Sequence, residues 1–132
     1  MLKVATVCSG IGAPEKALKM LGIPYELSFF SEIDIPAIKA YCAIHKESTN
    51  KNFGNLENIN QKPIPQDLDL LVGGTPCQDF SNAGLGKGGE EGSGTRSSLM
   101  WYYIKLIALS KPKIVVWENV AAVISIKHIH TY

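Results

Sequence analysis

No apolar run in this chain approaches the ~20 residues of a membrane-spanning helix, so no helical span is expected. The opening segment Met1-Leu2-Lys3-Val4-Ala5-Thr6-Val7 is too short and leads into a glycine loop without a cleavage pattern, which excludes a secretory signal and points to a cytoplasmic protein. Cysteine is scarce. Cys8, Cys42 and Cys77 cannot all pair within the chain, and none stands in a Cys-x-x-Cys spacing, so they read as reduced thiols rather than zinc ligands. His45, His128 and His130 lack convincing ligand partners, and no metal site is expected. A Gly-x-x-x-x-Gly-Lys-Ser/Thr run is missing, which removes the nucleotide kinases. Charge of one sign is missing too. With 13 basic against 12 acidic side chains the net charge is +1, and the basic footprint usual in a nucleic-acid binder is not there.

What remains is an ordinary globular composition arranged in alternating elements. The 132 residues, 45% hydrophobic, suffice for one domain with a real core. Residues 3–7 read as a strand, residues 9–13 as a loop, and residues 14–21 as a helix with Pro14 in its first turn and Gly22 after its end. A second strand over 25–30 leads to a helix over 35–45, whose Ile38, Tyr41 and Cys42 share one apolar face. A short strand is expected near 55–59, and a central one over 68–72. A long loop from Thr75 to about Thr95 precedes a helix over 97–109. Residues 113–117 form the clearest strand: Ile114-Val115-Val116 is β-branched throughout and is expected to be buried on both faces. Such alternation implies an α/β fold, a mostly parallel sheet with helices on both faces.

Two loops at the carboxyl edge of that sheet carry the chemistry. In Gly73-Gly74-Thr75-Pro76-Cys77-Gln78-Asp79-Phe80-Ser81 a cysteine stands on the turn after a buried strand, where a thiol can act as a nucleophile. In Cys8-Ser9-Gly10-Ile11-Gly12-Ala13 the glycines let the backbone approach a ligand, and Glu32 follows Gly12 by 20 residues at the end of the next strand. An acid there commonly accepts hydrogen bonds from ribose hydroxyls, so an adenosine cofactor is expected. Glu15 occupies the position where a dinucleotide fold wants a third small residue, and an acid beside a pyrophosphate is unfavourable. S-adenosylmethionine has no phosphate and carries a sulfonium cation. It suits this loop better.

Ser9-Gly10-Ile11-Gly12, Glu32-Ile33-Asp34, Pro76-Cys77-Gln78 and Glu118-Asn119-Val120, in this order and spacing, resemble the DNA cytosine-5 methyltransferases from about Lys3 to the end of the chain. The resemblance implies a Rossmann-like S-adenosylmethionine-dependent methyltransferase fold and a role in DNA methylation of the restriction-modification kind. It implies catalysis by Cys77, the nucleophile, and Glu118, which contacts the cytosine. The implied cofactor site comprises Ser9, Gly10, Ile11, Gly12, Glu32, Ile33, Asn55, Pro76 and Leu99, and Gln78, Ser81, Arg96 and Asn119 are the implied base and DNA contacts. Because the target atom of duplex DNA is stacked, base flipping comes with the resemblance, and the segment 83–94, with six glycines in twelve residues, reads as a lid.

Some positions depart from the family pattern. Cys8 stands where a Phe commonly stacks on adenine, Asn55 replaces an Asp, and Thr75 stands where an aromatic or small residue is usual. Residues 121–132 read as a helix, and the family's arginine motif, target-recognition region and closing helix are not in the sequence. The expectation is a single partial catalytic and cofactor-binding domain over 1–132. It would meet double-stranded DNA through a missing half or a complementary subunit, or serve as a non-catalytic S-adenosylmethionine-binding fragment.

Overall fold

In a computed structural model of the chain, the residues described are 1–76 and 99–121. Four parallel strands stand in the order β2-β1-β3-β4, with β1 spanning Leu2–Val7, β2 Tyr25–Ser31, β3 Leu70–Gly73 and β4 Ile114–Trp117. Helix α1 covers Ala13–Met20, α2 Ile35–His45 and α3 Leu99–Ser110. The sheet and its helices agree with the fold class read from the sequence.

β1 is buried along Val4–Val7 because both of its faces are covered. Ala5 and Val7 join Phe29, Leu71, Tyr103 and Leu106 in the larger core cluster, so α3 lies on that face. Thr6 points the other way, toward α1 and α2, where Leu27, Phe30 and Tyr41 form a smaller cluster backed by Ile38 and Cys42. The register slips between Val4 and Ala5, which face Leu27 and Phe29, so Ser28 is the extra residue of a β-bulge. The bulge explains how Leu27 and Phe30, three apart, share one face. At the sheet's amino edge the Asp69 carboxylate accepts from the Lys3 backbone N–H at 2.8 Å and from Lys113 Nζ at 2.6 Å, tying β1, β3 and β4 together. The Lys113 bond, then the Lys3 N–H, holds that carboxyl below its ordinary range.

Two expectations need correction. Residues 56–61 form a 3-10 turn, not a strand, because Asn55 Oδ1 accepts from Glu57 N–H at 3.0 Å and caps the turn. β4 is not buried on both faces: Ile114, Val115 and Val116 are 57%, 39% and 45% exposed. Among the described residues β4 pairs only with β3, and it stands at the edge of the four strands. The loop and helix start expected over 77–98 and the helix expected over 122–132 lie outside the described residues.

The connections fix where a ligand can bind. From β1 the chain goes to β2 on one side, then crosses to β3 on the other, so the direction of winding reverses between β1 and β3. The carboxyl ends of those two strands flank the crevice of an open α/β sheet.

Candidate active site

Cys8 and Gly74, the residues that follow β1 and β3, wall two neighbouring cavities at that crevice. The first, of about 280 Å³, is lined by Glu32, Ile33, Asn55, Leu56, Pro76 and Leu99. The second, of about 240 Å³, is lined by Thr6, Ser9, Pro14, Val72 and Glu118. The fold thus gathers Ser9, Glu32, Ile33, Asn55, Pro76, Leu99 and Glu118 around one wall. Ile11 and Gly12 are turned away, onto an apolar groove between α1 and α2 with Met20 and Ile44. Cys77, Gln78, Ser81 and Arg96 lie outside the described residues.

The glycine loop is braced from three sides. Gly10 N–H donates to Glu32 Oε2 at 2.8 Å, while Glu32 Oε1 accepts from Ile33 N–H at 2.8 Å and Asp34 N–H at 3.0 Å. Ser9 N–H donates to Ser31 O at 3.1 Å. Buried His45 reaches Ile11 O with Nε2 at 2.9 Å and meets Lys19 Nζ with Nδ1 at 3.3 Å. An ammonium only donates, so Nδ1 accepts, and Nε2 carries the proton that it gives to Ile11 O. Gly12 is in the left-handed region at φ 85, and a Cβ there would collide with the His45 imidazole and the Tyr41 ring. Only glycine fits.

Glu15 is placed differently from the sequence reading. It is fully buried beneath the loop, where its Oε1 accepts from Thr6 Oγ1 and Tyr41 OH, both at 2.6 Å, and its Oε2 has no hydrogen-bond partner among the described residues. The objection to a pyrophosphate built on this acid therefore falls, since Glu15 does not face the ligand cavities. Its role is a brace: Thr6 gives its hydroxyl proton to Glu15 and is left to accept from Ser9 Oγ, 2.9 Å away. Burial, with the Glu15 charge second, pushes the Tyr41 phenol far above its ordinary range.

Asn52 was invisible to pattern reading. Its Oδ1 accepts from Glu32 N–H at 3.1 Å and Gly54 N–H at 2.9 Å, and its Nδ2 donates to Glu32 O at 3.1 Å, so it holds the cavity wall over 52–55 against the end of β2. A lone Asn in an unpatterned stretch carries no periodic signal. Asn55 lines the cavity, but its side chain already caps the 3-10 turn. Ile33 is 67% exposed at the cavity's mouth. Burial pushes the Cys8 thiol up to about 11, the Glu32 charge adding to it, so this cysteine is a neutral wall at pH 7.

On the other side, Glu118 is exposed and its carboxylate rests against Gly74, where an added Cβ would lie 3.2 Å from Oε2. Glu118 N–H donates to Gly73 O at 2.9 Å. Tyr103 crosses Gly73, its hydroxyl 2.9 Å from Val116 O and 3.2 Å from Leu71 O; a Cβ on Gly73 would stand 2.7 Å from the Tyr103 ring. Asn119 is engaged internally: Nδ2 is 3.4 Å from both Thr75 O and Oγ1, and Oδ1 accepts from Val120 N–H at 2.8 Å.

A parallel sheet with a braced glycine loop after β1, an acid after β2 and cavities at the winding reversal defines a Rossmann-like methyltransferase fold. The Dnmt2 methyltransferase of S. pombe shares it, with a TM-score of 0.66 at 17% identity over 99% of this chain and 37% of that one. The C-5 cytosine-specific DNA methylase family matches residues 2–132, and the chain belongs to that family. The orphan methyltransferase M.Rho11sI of Bacillus phage rho11s is 48% identical over 94% of this chain and 24% of its own length. M.SPRI of Bacillus phage SPR is 47% identical over 94% of this chain and 27% of its own. The type II methyltransferase M2.ScrFI of Lactococcus lactis subsp. cremoris is 29% identical over 97% of this chain and 49% of its own. The chain spans about a quarter of the length of the two phage relatives.

Proposed function

We propose that the chain carries the cofactor-binding and catalytic part of an enzyme that methylates C5 of cytosine in double-stranded DNA, with S-adenosylmethionine as donor and a covalent Cys77–C6 intermediate. The observation that carries this reading is the meeting of the Glu32 cavity and the Glu118 cavity at one wall, in a chain matched by the family over residues 2–132.

The first cavity fits an adenosyl group. Ile33, Leu56, Pro76 and Leu99 offer apolar surface, and Glu32 Oε2, with one backbone donor, keeps a lone pair for a ribose hydroxyl. S-adenosylmethionine, when bound, supplies an electrophilic methyl group. Cytosine C5 is a poor nucleophile until Cys77 Sγ bonds to C6 and makes an enamine of the ring. Glu118 faces N3 and shares a proton as electron density moves there. Loss of the C5 proton then breaks the bond from Cys77 and restores the aromatic ring. Gln78, Ser81, Arg96 and Asn119 are the groups assigned to the flipped base and the strand. Sequence recognition belongs to polypeptide equivalent to the rest of the relatives, in the same chain or in a complementary subunit. The setting is the cytoplasm.

The test supplies that remainder from M.SPRI and adds cofactor and DNA carrying 5-fluorocytosine, whose fluorine blocks the final elimination. A denaturation-stable protein–DNA adduct is expected, lost in Cys77→Ser and formed about 100-fold more slowly in Glu118→Gln. An adduct that survives Cys77→Ser overturns the nucleophile. A second reading, cofactor binding without catalysis, is favoured only by the short span of the relatives covered. Calorimetric binding of S-adenosylmethionine with no adduct would support it.

A further inference from the structure

We propose that Asn52 is the positioning residue that aims the Glu32 carboxylate at the ribose of the cofactor, an assignment resting on the cofactor reading just given. β2 lies at the edge of the four strands, and past its last residue, Ser31, the main chain of Glu32 meets a side chain. Phe30 forms a parallel bridge with Asn52, and Phe53 N–H donates to Phe30 O at 2.8 Å. At Glu32 the Asn52 amide takes over: Oδ1 accepts from Glu32 N–H at 3.1 Å, and Nδ2 donates to Glu32 O at 3.1 Å. The side chain thus does for Glu32 what the peptide group of a neighbouring strand would do, and it clasps both polar groups of that backbone.

Asparagine is the side chain this clasp requires. Its oxygen has two lone pairs, which Glu32 N–H at 3.1 Å and Gly54 N–H at 2.9 Å fill, while Nδ2 supplies the donor that Glu32 O needs. Aspartate would keep the acceptor, lose the donor and put a second negative charge beside Glu32. The Glu32 carboxylate is itself turned by Gly10 N–H on Oε2 and by Ile33 and Asp34 N–H on Oε1. With its backbone clasped and its carboxylate held by those donors, Glu32 is set before a ligand arrives, and hydrogen bonds to ribose hydroxyls need no reordering of the side chain. The wall over 53–55 has ties of its own, Phe53 N–H to Phe30 O and Ser31 Oγ to Gly54 O at 2.6 Å. Loss of the clasp therefore falls chiefly on Glu32.

Calorimetry on the 132-residue chain compares S-adenosylhomocysteine with its analogue lacking both ribose hydroxyls. The unsubstituted chain is expected to bind the first more tightly. Asn52→Ala is expected to weaken S-adenosylhomocysteine about tenfold and the analogue less than about twofold, because only the first ligand uses Glu32. General damage to the fold would weaken both alike. Equal loss for the two ligands, or none for either, overturns the proposal. Should Asn52→Ala not fold, Asn52→Asp keeps the size and the acceptor, and the same selective loss is expected of it. Amide hydrogen exchange checks the clasp without any ligand: Glu32 and Gly54 N–H should exchange at least about tenfold faster in Asn52→Ala, and unchanged exchange also overturns the proposal. No binding of S-adenosylhomocysteine by the unsubstituted chain, with that exchange difference present, would sink the cofactor reading and leave the clasp standing.

Discussion

β1 and β4 are both short apolar strands, and they live in different surroundings. Val4 and Val7 of β1 are sealed between α3 on one face and α1 with α2 on the other, whereas Ile114, Val115 and Val116 of β4 meet solvent on both faces. The loop after β1 is braced by the buried Glu15, by Glu32 and by His45. The exit of β4 is tied to its neighbour through Thr75, the Gly73 carbonyl and Tyr103. The Glu32 side of the crevice therefore belongs to the well-buried core, and the Glu118 side is built on a strand that is more exposed.

The sharpest way to break the contrast is Gly12→Ala. The collision with His45 and Tyr41, added to a left-handed backbone, should destabilise the chain by about 3 kcal/mol or more, read as a fall in the denaturant midpoint. Paired truncations measure the contrast itself. Val4→Ala should lower stability by about 2 kcal/mol, and Val116→Ala by no more than about 0.5 kcal/mol, because the second residue leaves little buried surface behind. Equal losses would show β4 to be covered in solution.

A smaller effect comes from Cys8, at the wall between the cavities. Its folded-state value is raised to about 11 from an ordinary 9.0 by burial, so the neutral thiol is favoured by folding. That contribution is complete below about pH 9 and is lost as pH climbs through 11, since there the unfolded chain has given up a proton that the folded one keeps. Alkylation of Cys8 should be slow at pH 8 and rise steeply toward pH 11. Fast labelling at pH 8 would show that this wall opens.

Much of the frame was readable from local signals. Helix α2 runs from Ile35 to His45 as expected, because Asp34 caps it and Pro36 presets its first turn. The residues that follow β1, β2 and β3, as far as Pro76, stand at one sheet edge for the same reason: alternation of strand and helix dictates which ends face together. Three things were not readable. The exposure of β4 depends on what stands beside and above it, which a β-branched run reports identically at an edge or in a centre. The direction of Glu15 depends on Thr6 and Tyr41, nine and 26 residues away, and no periodicity encodes that meeting. The hydrogen bond from Trp117 Nε1 to Thr75 Oγ1 joins residues 42 apart, and no local pattern reports it.

The partition formed by Cys8 and Gly74 has one more implication. Since the same two residues bound both chambers, neither chamber can be resized alone: a side chain added at position 74 would crowd the Glu118 carboxylate and narrow the Glu32 cavity with one atom. Two cavities built this way must change in step, and a substitution at the partition reads out in both at once.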